Sequence, residues 1–329
     1  MVSWVEKHRP SSLDGVQGNT EVVEALESYR TIKEFPNTIL HGPPGSGKTS
    51  VILALAKRFF KRENLGAMCI ELNAGDFRGI DSIRHRVNNF TNCSSLTEKA
   101  SGELKLVILD EADGLTICAQ RALTHLLDTS GKRARFCLCC NLASKLSSGL
   151  KSRCTSFSFA GLGTVALTRT LRNVVDKEGL RLSESGLNAV VDVSLGDARQ
   201  AINILESLSL GENATSTKTH GDESAVYTAC GLPLPSEISN ILDALLHRTF
   251  GEAYCTLVSL VEHRQLSLSQ IITPLVDRVV ALGSSDESAM PARRMGRALC
   301  ILADVEHCLS DGGAEVLAAG GVVAAFHSS

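Results

Sequence analysis

Residues 38–49 read Thr-Ile-Leu-His-Gly-Pro-Pro-Gly-Ser-Gly-Lys-Thr, and this stretch decides the fold. A short apolar run comes first, then Gly42, Gly45 and Gly47 within a turn, then an amphipathic segment from Ser50. Glycines let backbone N–H groups converge on phosphate oxygens, and the N-terminus of a following helix adds positive potential. The stretch therefore predicts a phosphate-binding loop between a strand and a helix.

The side chains of this loop predict how it holds a nucleoside triphosphate. Lys48 is expected to reach the β- and γ-phosphates, and the hydroxyl of Thr49 is expected to bind Mg²⁺. A chance glycine-rich turn is the alternative, which the flanking strand and helix disfavour. The predicted nucleotide-binding residues of the loop are Gly42, Pro43, Pro44, Gly45, Ser46, Gly47, Lys48, Thr49 and Ser50.

Polar residues follow two later apolar runs. Asp110 is expected to hold the metal, directly or through water, and Glu111 to polarise the attacking water. The alternative is an acidic surface turn. Asn141 ends the next run, where its amide either orients water beside the γ-phosphate or belongs to an ordinary turn. Arg153 and Arg199 stand where arginine can bind phosphate, although solvated arginines fit the same pattern.

Short apolar runs alternate with amphipathic segments from residue 36 to residue 159, which predicts a parallel sheet with helices on its faces. The pattern is helical beyond that point, and the polar stretch 211–224 is the best linker candidate. The predicted class is an α/β phosphate-binding core over 1–160, a small helical lid with linker over 161–224, and an all-α domain over 225–329. The predicted strands are 38–40, 68–72, 106–109, 136–140 and 155–159.

The composition is that of a folded chain and gives no sign of a strongly basic nucleic-acid binder. Hydrophobic residues make up 43% of 329, and 33 basic against 36 acidic residues give a net charge of −3, so any DNA surface must be a local patch. Apart from the cluster Cys137, Cys139 and Cys140, the 11 cysteines are scattered singly, which predicts free thiols in a reducing compartment. Cys137, Cys139 and Cys140 lie in an apolar run and are expected to pack in the core. No targeting segment is predicted, and the apolar run 316–326 is shorter than the ~20 residues of a membrane span.

The N-terminal segment Trp-Val-Glu-Lys-His-Arg-Pro, residues 4–10, is similar to the WVEKYRP segment of the small subunits of replication-factor-C-type clamp loaders, which are AAA+ ATPases. Other landmarks of that family follow here in the family's order. The Ser-Arg-Cys element discriminates best, since most other AAA+ families lack it. These landmarks are His41–Thr49, Leu109–Asp113, Asn141, Ser152–Cys154 and Gly196–Gln200.

The resemblance implies a role for each matching residue. Asn141 resembles sensor 1 and Arg199 sensor 2, while Arg153 resembles the arginine finger that reaches into a neighbouring subunit's ATP site. Asn73 resembles the residue that restrains the catalytic glutamate until DNA arrives. The implied adenine wall is Val5, His8, Arg9, Pro10, Val16 and Gly18. The implied catalytic set is Lys48, Asp110, Glu111, Asn141, Arg153 and Arg199.

The resemblance also implies a function. The chain is expected to be an ATP hydrolase that uses ATP and Mg²⁺ and is active mainly inside a hetero-pentameric ring of replication factor C subunits. That ring would open the PCNA sliding clamp and load it onto primer-template DNA during replication and repair, in the nucleus. The C-terminal domain would be the collar that closes the ring. Among the small subunits, the most similar paralogue is expected to be the one called subunit 2 in humans and subunit 4 in budding yeast.

Some positions depart from the family pattern. His8 replaces the usual tyrosine, which alters the expected stacking on adenine. The segment 73–78 differs from the usual NASNDRG, and 119–125 lacks the family's paired arginines, so the strength of DNA sensing is open. Arg84 and Arg86 match family positions that track DNA phosphates, although a solvated amphipathic helix is the alternative.

Two other functional classes are weighed against the clamp loader. The tetrad Asp110–Asp113 is also that of DEAD-box RNA helicases, but such enzymes need a second RecA-like lobe, and no strand pattern follows residue 161. A subunit that binds ATP yet barely hydrolyses it is the remaining alternative. The intact residues Lys48, Asp110 and Glu111 argue against it.

Overall fold

The chain forms two compact units, Met1–Lys218 and Thr219–Ser329. The computed structural model describes residues 2–61, 63–76, 80–92, 104–214, 221–285 and 291–327. The first unit contains all the residues that the sequence assigns to the nucleotide site.

A five-stranded sheet with parallel pairing lies at the centre of the first unit, in the order β2-β3-β4-β1-β5. Each strand predicted from the sequence is present, with ends that differ by one or two residues. Carboxyl ends of parallel strands meet at one edge of a sheet, so the residues after β1, β3 and β4 are brought together. The strands are β1 Thr38–His41, β2 Cys69–Asn73, β3 Lys105–Asp110, β4 Ala134–Cys140 and β5 Thr155–Ser158.

Helices cover both faces of the sheet. Ile39 belongs to the apolar cluster of one face and Leu40 to that of the other, as the two-residue period of a strand requires. Helix α3 buries Val51, Ile52 and Leu55 against the second face. The helices before the lid are α1 Trp4–Lys7, α2 Thr20–Glu27, α3 Lys48–Phe59, α4 Leu65–Met68, α5 Ile80–Asn92, α6 Ile117–Ser130 and α7 Ser148–Lys151.

The cysteines of β4 pack in this core, as predicted. Cys137 and Cys139 are fully buried between the sheet and α3, and Cys140 is buried on the other face. Burial raises the pKa of the Cys137 thiol well above its ordinary value, which keeps the thiol protonated. Among the described residues, no group of three or more His, Cys, Asp or Glu side chains could hold a metal ion.

Three helices form the predicted lid: α8 Thr164–Glu178, α9 Glu184–Ser194 and α10 Ala198–Ala214. The hydroxyl of Ser183 accepts the N–H of Gly186 at 3.0 Å and caps α9. Gly179, with φ +68°, ends α8 in the left-handed conformation. At its other end, Gly163 is the N-cap of α8 and Thr164 is the first helical residue.

The second unit is helical throughout its described part. Its last helix packs against four others and buries Ala318, Val322 and Phe326 among them. No helix in the described ranges is long and apolar enough to cross a bilayer. The helices are α11 Glu223–Ala229, α12 Pro235–His247, α13 Phe250–Arg264, α14 Leu268–Ser285, α15 Ala292–Ser310 and α16 Glu315–His327.

Candidate active site

The loop after β1 has the backbone that its glycines predict. Gly42 has φ +150°, and a Cβ there would lie 2.1 Å from the carbonyl oxygen of Phe159. Gly45 has φ +66°, and a Cβ there would lie 1.8 Å from Oδ1 of Asp197. The loop can therefore pass beneath the lid and beside β5 only with glycine at both positions.

Lys48 is the first residue of α3 and lies across the loop. Its Nζ donates to the carbonyl oxygens of Gly42 at 2.9 Å and Pro43 at 2.8 Å, and to Oδ1 of Asn141 at 3.2 Å. Only 7% of the residue is exposed. The ends of β1 and β4 thus meet at the lysine ammonium.

The electrostatics of this lysine favour an anionic ligand. Burial lowers the pKa of Lys48, and the positive charge of Arg199 acts in the same direction. The carboxylate of Asp110 opposes that shift. A phosphate group that contacts the ammonium would favour its charged form and offset the desolvation.

Asp110 is the last residue of β3, and each of its carboxylate oxygens accepts a hydrogen bond. Oδ2 accepts the hydroxyl of Thr49 at 2.9 Å, and Oδ1 accepts the N–H of Glu111 at 2.9 Å. A hydroxyl beside a carboxylate at this edge of the sheet is a pair of hard oxygen donors, which fits Mg²⁺ better than a softer metal. The two residues predicted to hold the metal are therefore in contact.

Glu111 lies outside this contact and is exposed to solvent. Its backbone is left-handed at φ +54°, which is uncommon for a residue other than glycine and turns the chain sharply after β3. A Cβ on Gly75 would lie 3.0 Å from Oε2 of Glu111 and 3.3 Å from Oδ1 of Asn73. Asn73 is thus a neighbour of Glu111, although its Oδ1 accepts the N–H of Gly75 at 2.8 Å.

The lid approaches the loop through the start of α10. Oδ1 of Asp197 caps that helix by accepting the N–H groups of Arg199 at 2.8 Å and Gln200 at 3.1 Å. The same carboxylate lies against Gly45 of the loop. The cap therefore places Arg199 in the first turn of a helix that begins at the phosphate-binding loop.

The N-terminal segment joins the lid to the core. His8 is nearly buried, with 7% of its side chain exposed, and its Nε2 lies 2.5 Å from Oε1 of Glu178 in α8. Lys7 also contacts this carboxylate, at 2.7 Å. The hydrogen bond from Lys7 lowers the pKa of Glu178 below its ordinary value, and the hydrogen bond with His8 lowers it further. The ring of His8, a residue that the family resemblance assigned to the adenine wall, thus contacts the lid through its Nε2.

The other residues of the predicted adenine wall are half-buried. Arg9 pairs with Glu6 at 2.7 Å, and Val16 packs against the core beside α3. Gly18 has φ +76° and approaches Leu162 at the entrance to the lid. The remaining two are Val5 and Pro10, which are intermediate in exposure.

Asn19 is a site residue that the sequence did not single out. Its Nδ2 donates to the carbonyl oxygens of Ala160 at 3.0 Å and Ser46 at 3.5 Å, and its Oδ1 accepts the N–H of Ala160 at 2.8 Å. It thereby joins the N-terminal segment to the loop and to the end of β5. The dipeptide Gly18-Asn19, a turn signal, was the available indication.

Gln120 is a second residue with an unrecognised role. It is 3% exposed, and its Nε2 donates to the carbonyl oxygens of Leu115 and Lys145, each at 3.1 Å. Its Oε1 accepts the N–H of Ser147 at 2.7 Å. One side chain of α6 thus holds the segment after Glu111 to the segment after Asn141.

Replacing Gln120 by leucine is expected to destabilise the chain by about 2–4 kcal/mol, because one buried and two part-buried backbone groups lose their partner. Urea unfolding followed by circular dichroism measures this change. Gln200→Leu, at an exposed position of α10, is the matched control and should change the free energy of unfolding by less than about 0.5 kcal/mol. Equal effects of the two substitutions would contradict the assigned role of Gln120.

Arg153 lies apart from these residues. Its Nε donates to Oδ1 of Asp128 at 2.7 Å and its Nη1 to the carbonyl oxygen of Gly149 at 3.1 Å. Its side chain is 40% exposed. Within the described part of the chain, no hydrogen bond or ion pair joins it to Lys48 or Asp110.

The two arginines predicted to contact DNA lie on α5. Val87 of this helix is buried and Arg86 is exposed. The side chain of Arg84, like residues 77–79, lies outside the described residues.

Comparisons with known proteins agree with this architecture. The family model for the ATPase family associated with various cellular activities matches residues 38–162, and the RCF1/5-like AAA+ ATPase lid domain matches 169–210. The replication factor C C-terminal domain matches 233–325. The structure also resembles the RuvB Holliday junction branch migration motor of Thermotoga maritima, with a TM-score of 0.55 over 82% of this chain and 91% of that one. At 16% identity this likeness shows the fold alone.

Two curated relatives are similar over nearly the whole chain. Replication factor C subunit 5 of Homo sapiens is 38% identical over 98% of this chain and 91% of its own length. Replication factor C subunit 3 of Saccharomyces cerevisiae is 35% identical over 99% and 93%.

These relatives correct one prediction. The expected similarity to the paralogue called subunit 2 in humans and subunit 4 in budding yeast is wrong, because the similar relatives carry the numbers 5 and 3. The motifs behind that prediction serve ATP chemistry common to the small subunits and do not separate one from another. What the relatives and the three matched domains establish is that the chain belongs to the replication factor C family of AAA+ ATPases and is an ATP hydrolase of its small-subunit class.

Proposed function

We propose that this chain is an ATPase subunit of a replication-factor-C-type clamp loader. It works in a hetero-pentameric ring with other replication factor C subunits, which opens the PCNA sliding clamp and loads it onto primer-template DNA during replication and repair in the nucleus. The observation that carries the proposal is a division within the first unit. The adjacent residues Lys48 and Thr49 bond to Asn141 and Asp110 respectively, while Arg153 lies apart with an exposed side chain.

The chemistry of ATP hydrolysis is assigned to this cluster. Mg²⁺, held by Thr49 and Asp110, would neutralise charge on the phosphates. Lys48 binds the β- and γ-phosphates, and Glu111 polarises the attacking water from its exposed position after β3. Asn141, already hydrogen-bonded to Lys48, orients that water beside the γ-phosphate.

The assembly roles are distributed along the rest of the chain. The lid, over 161–224, presents Arg199 to the nucleotide, and the N-terminal segment provides the adenine wall. The helices within 225–329 form the collar that holds the ring, in keeping with their match to the replication factor C C-terminal domain.

A reconstituted loading assay tests the proposed function. The chain is co-expressed with the other subunits of a replication factor C complex, and the purified complex is given PCNA, ATP and a primed DNA circle. We expect PCNA to be retained on the circle with the wild-type complex and lost when this subunit is omitted. A complex that forms but loads no clamp would refute the loading function.

Lys48→Ala is expected to weaken ATP binding by about 10- to 100-fold, because a buried ammonium that bonds phosphate is removed. Equilibrium binding of a fluorescent ATP analogue measures this loss. Lys57→Ala, at an exposed position of the same helix, is the matched control and should bind as the wild type does. If the Lys48 variant and the control bound the analogue with equal affinity, the assignment of the phosphate site to this loop would be wrong.

Replacing Arg84 and Arg86 together by alanine is expected to weaken primed-DNA binding by the complex and to flatten its salt dependence. The proposed contacts are with phosphates, so each lost contact reduces the slope of log affinity against log salt by about 1. Fluorescence anisotropy at several salt concentrations measures both quantities. Arg172→Ala, in the lid, is the control, and an unchanged slope in the double variant would favour a merely solvated helix.

A further inference from the structure

The ion pair between Arg153 and Asp128 joins two elements that follow different parts of the ATP site. Asp128 lies in the last turn of α6, the helix that begins seven residues after Asp110 and carries Gln120. Arg153 follows α7, in the segment that comes after Asn141. The pair therefore connects the predicted arginine finger to α6. Through Gln120, the same helix is hydrogen-bonded to the segment after Asp110 and to the segment after Asn141.

The geometry leaves the guanidinium group able to bind a second anion. Nε donates to Asp128 and Nη1 donates to the carbonyl oxygen of Gly149, which occupies two of the five N–H donors of an arginine. Both donors of Nη2 and one of Nη1 are not used by these two bonds. A phosphate can bind that remaining edge while Asp128 keeps its own, because the planar group presents its donors in fixed directions.

Stability of the fold does not explain why an acidic residue is placed here. Both side chains are substantially exposed, 40% for Arg153 and 52% for Asp128, and exposed ion pairs contribute little to stability. A carboxylate near a phosphate-binding arginine also repels the phosphate. The pair instead fixes one rotamer of the long Arg153 side chain, which would otherwise sample many rotamers.

We propose that Asp128 is a positioning residue for Arg153: it holds the guanidinium group so that the Nη edge faces the ATP bound to the neighbouring subunit. This inference rests on the proposed function, in which Arg153 acts on the neighbour's site. The hydrogen bond from Arg153 lowers the pKa of Asp128. The carboxylate therefore stays ionised at neutral pH and continues to accept the N–H of Arg153 Nε. The finger then enters the neighbour's site already ordered, and less rotamer entropy is lost when the ring closes.

The experiment compares variants of this subunit in the assembled complex, with single-turnover hydrolysis read at the neighbouring subunit's site. Asp128→Ala is expected to slow that hydrolysis by about 10- to 100-fold, the effect of a misplaced catalytic group, without changing the neighbour's affinity for ATP. Asp128→Asn keeps an oxygen that can accept from Nε and should restore most of the rate. Glu184→Ala, which breaks the exposed pair with Arg172 in the lid, is the matched control and should leave the rate unchanged.

A double variant separates positioning from a general structural role. In the background of Arg153→Ala, adding Asp128→Ala should cause no further loss, because the aspartate acts only through the arginine. A further loss of the same size as in the wild-type background would overturn the inference. The inference would also be overturned if Asp128→Ala hydrolysed at the wild-type rate while Arg153→Ala was slow. In that case Arg153 would still act as the finger, but without help from Asp128. A wild-type rate for Arg153→Ala would instead refute the proposed finger, and with it the role of Asp128.

Discussion

Replacing Glu111 by glutamine is expected to slow ATP hydrolysis by about 10²- to 10⁴-fold while nucleotide binding stays intact. The amide keeps the size of the side chain but cannot accept a proton from the attacking water. The phosphate and metal contacts assigned to Lys48, Thr49 and Asp110 do not involve the Glu111 side chain. Single-turnover hydrolysis in the assembled complex measures the rate, and a fluorescent ATP analogue measures the affinity.

Asp113→Asn is the matched control for this substitution. Asp113 belongs to the same acidic turn, and its Oδ2 accepts the N–H of Leu142 at 3.4 Å, a bond that an asparagine oxygen can keep. We expect the control to hydrolyse ATP as the wild type does. If the wild type hydrolysed ATP rapidly and Glu111→Gln did so at the same rate, Glu111 would have no part in water activation. If the wild type were itself as slow as the variant is expected to be, the result would favour a subunit that binds ATP and barely hydrolyses it.

The central strands β1, β3 and β4 could be predicted from the sequence because they are buried on both faces. Strand β4 is wholly buried over residues 136–140, which appear in the sequence as a continuous apolar run. The segments that follow β1, β3 and β4 then had to meet at one edge, where Asn141 contacts Lys48 and Asp110 contacts Thr49. Local pattern and parallel topology were sufficient for this part of the site.

The contacts that orient the site could not be predicted in the same way. His8 and Glu178 are 170 residues apart, and Arg153 and Asp128 are 25 apart, so no helical or strand period relates them. Gln120 occupies a helix position where a polar residue fits a solvated face equally well. Its burial follows from the packing of α6 against the segments on either side. Such partners depend on tertiary packing, which composition and spacing do not encode.

Arg153→Ala is expected to slow hydrolysis at the neighbouring subunit's site by about 10³- to 10⁵-fold and to leave this chain's own site unaffected. An arginine delivered by a neighbour stabilises charge that develops on the transferring phosphoryl group, and it can do so only when the ring is assembled. The exposed position of Arg153, apart from Lys48 and Asp110, supports action on a site outside its own chain.

Two measurements decide between this role and a local salt bridge with Asp128. Each site is read by single-turnover hydrolysis in complexes whose remaining sites are disabled. The control is Arg172→Ala, at an arginine that forms another exposed pair with a carboxylate. A salt bridge that only steadies the segment after α7 would change neither rate beyond the control, because exposed pairs add little to stability. A defect in this chain's own site with a normal neighbour would place Arg153 in cis. A loss confined to the neighbour's site is the result that a finger acting between subunits requires, since the guanidinium group then stabilises a phosphoryl group that its own chain does not bind.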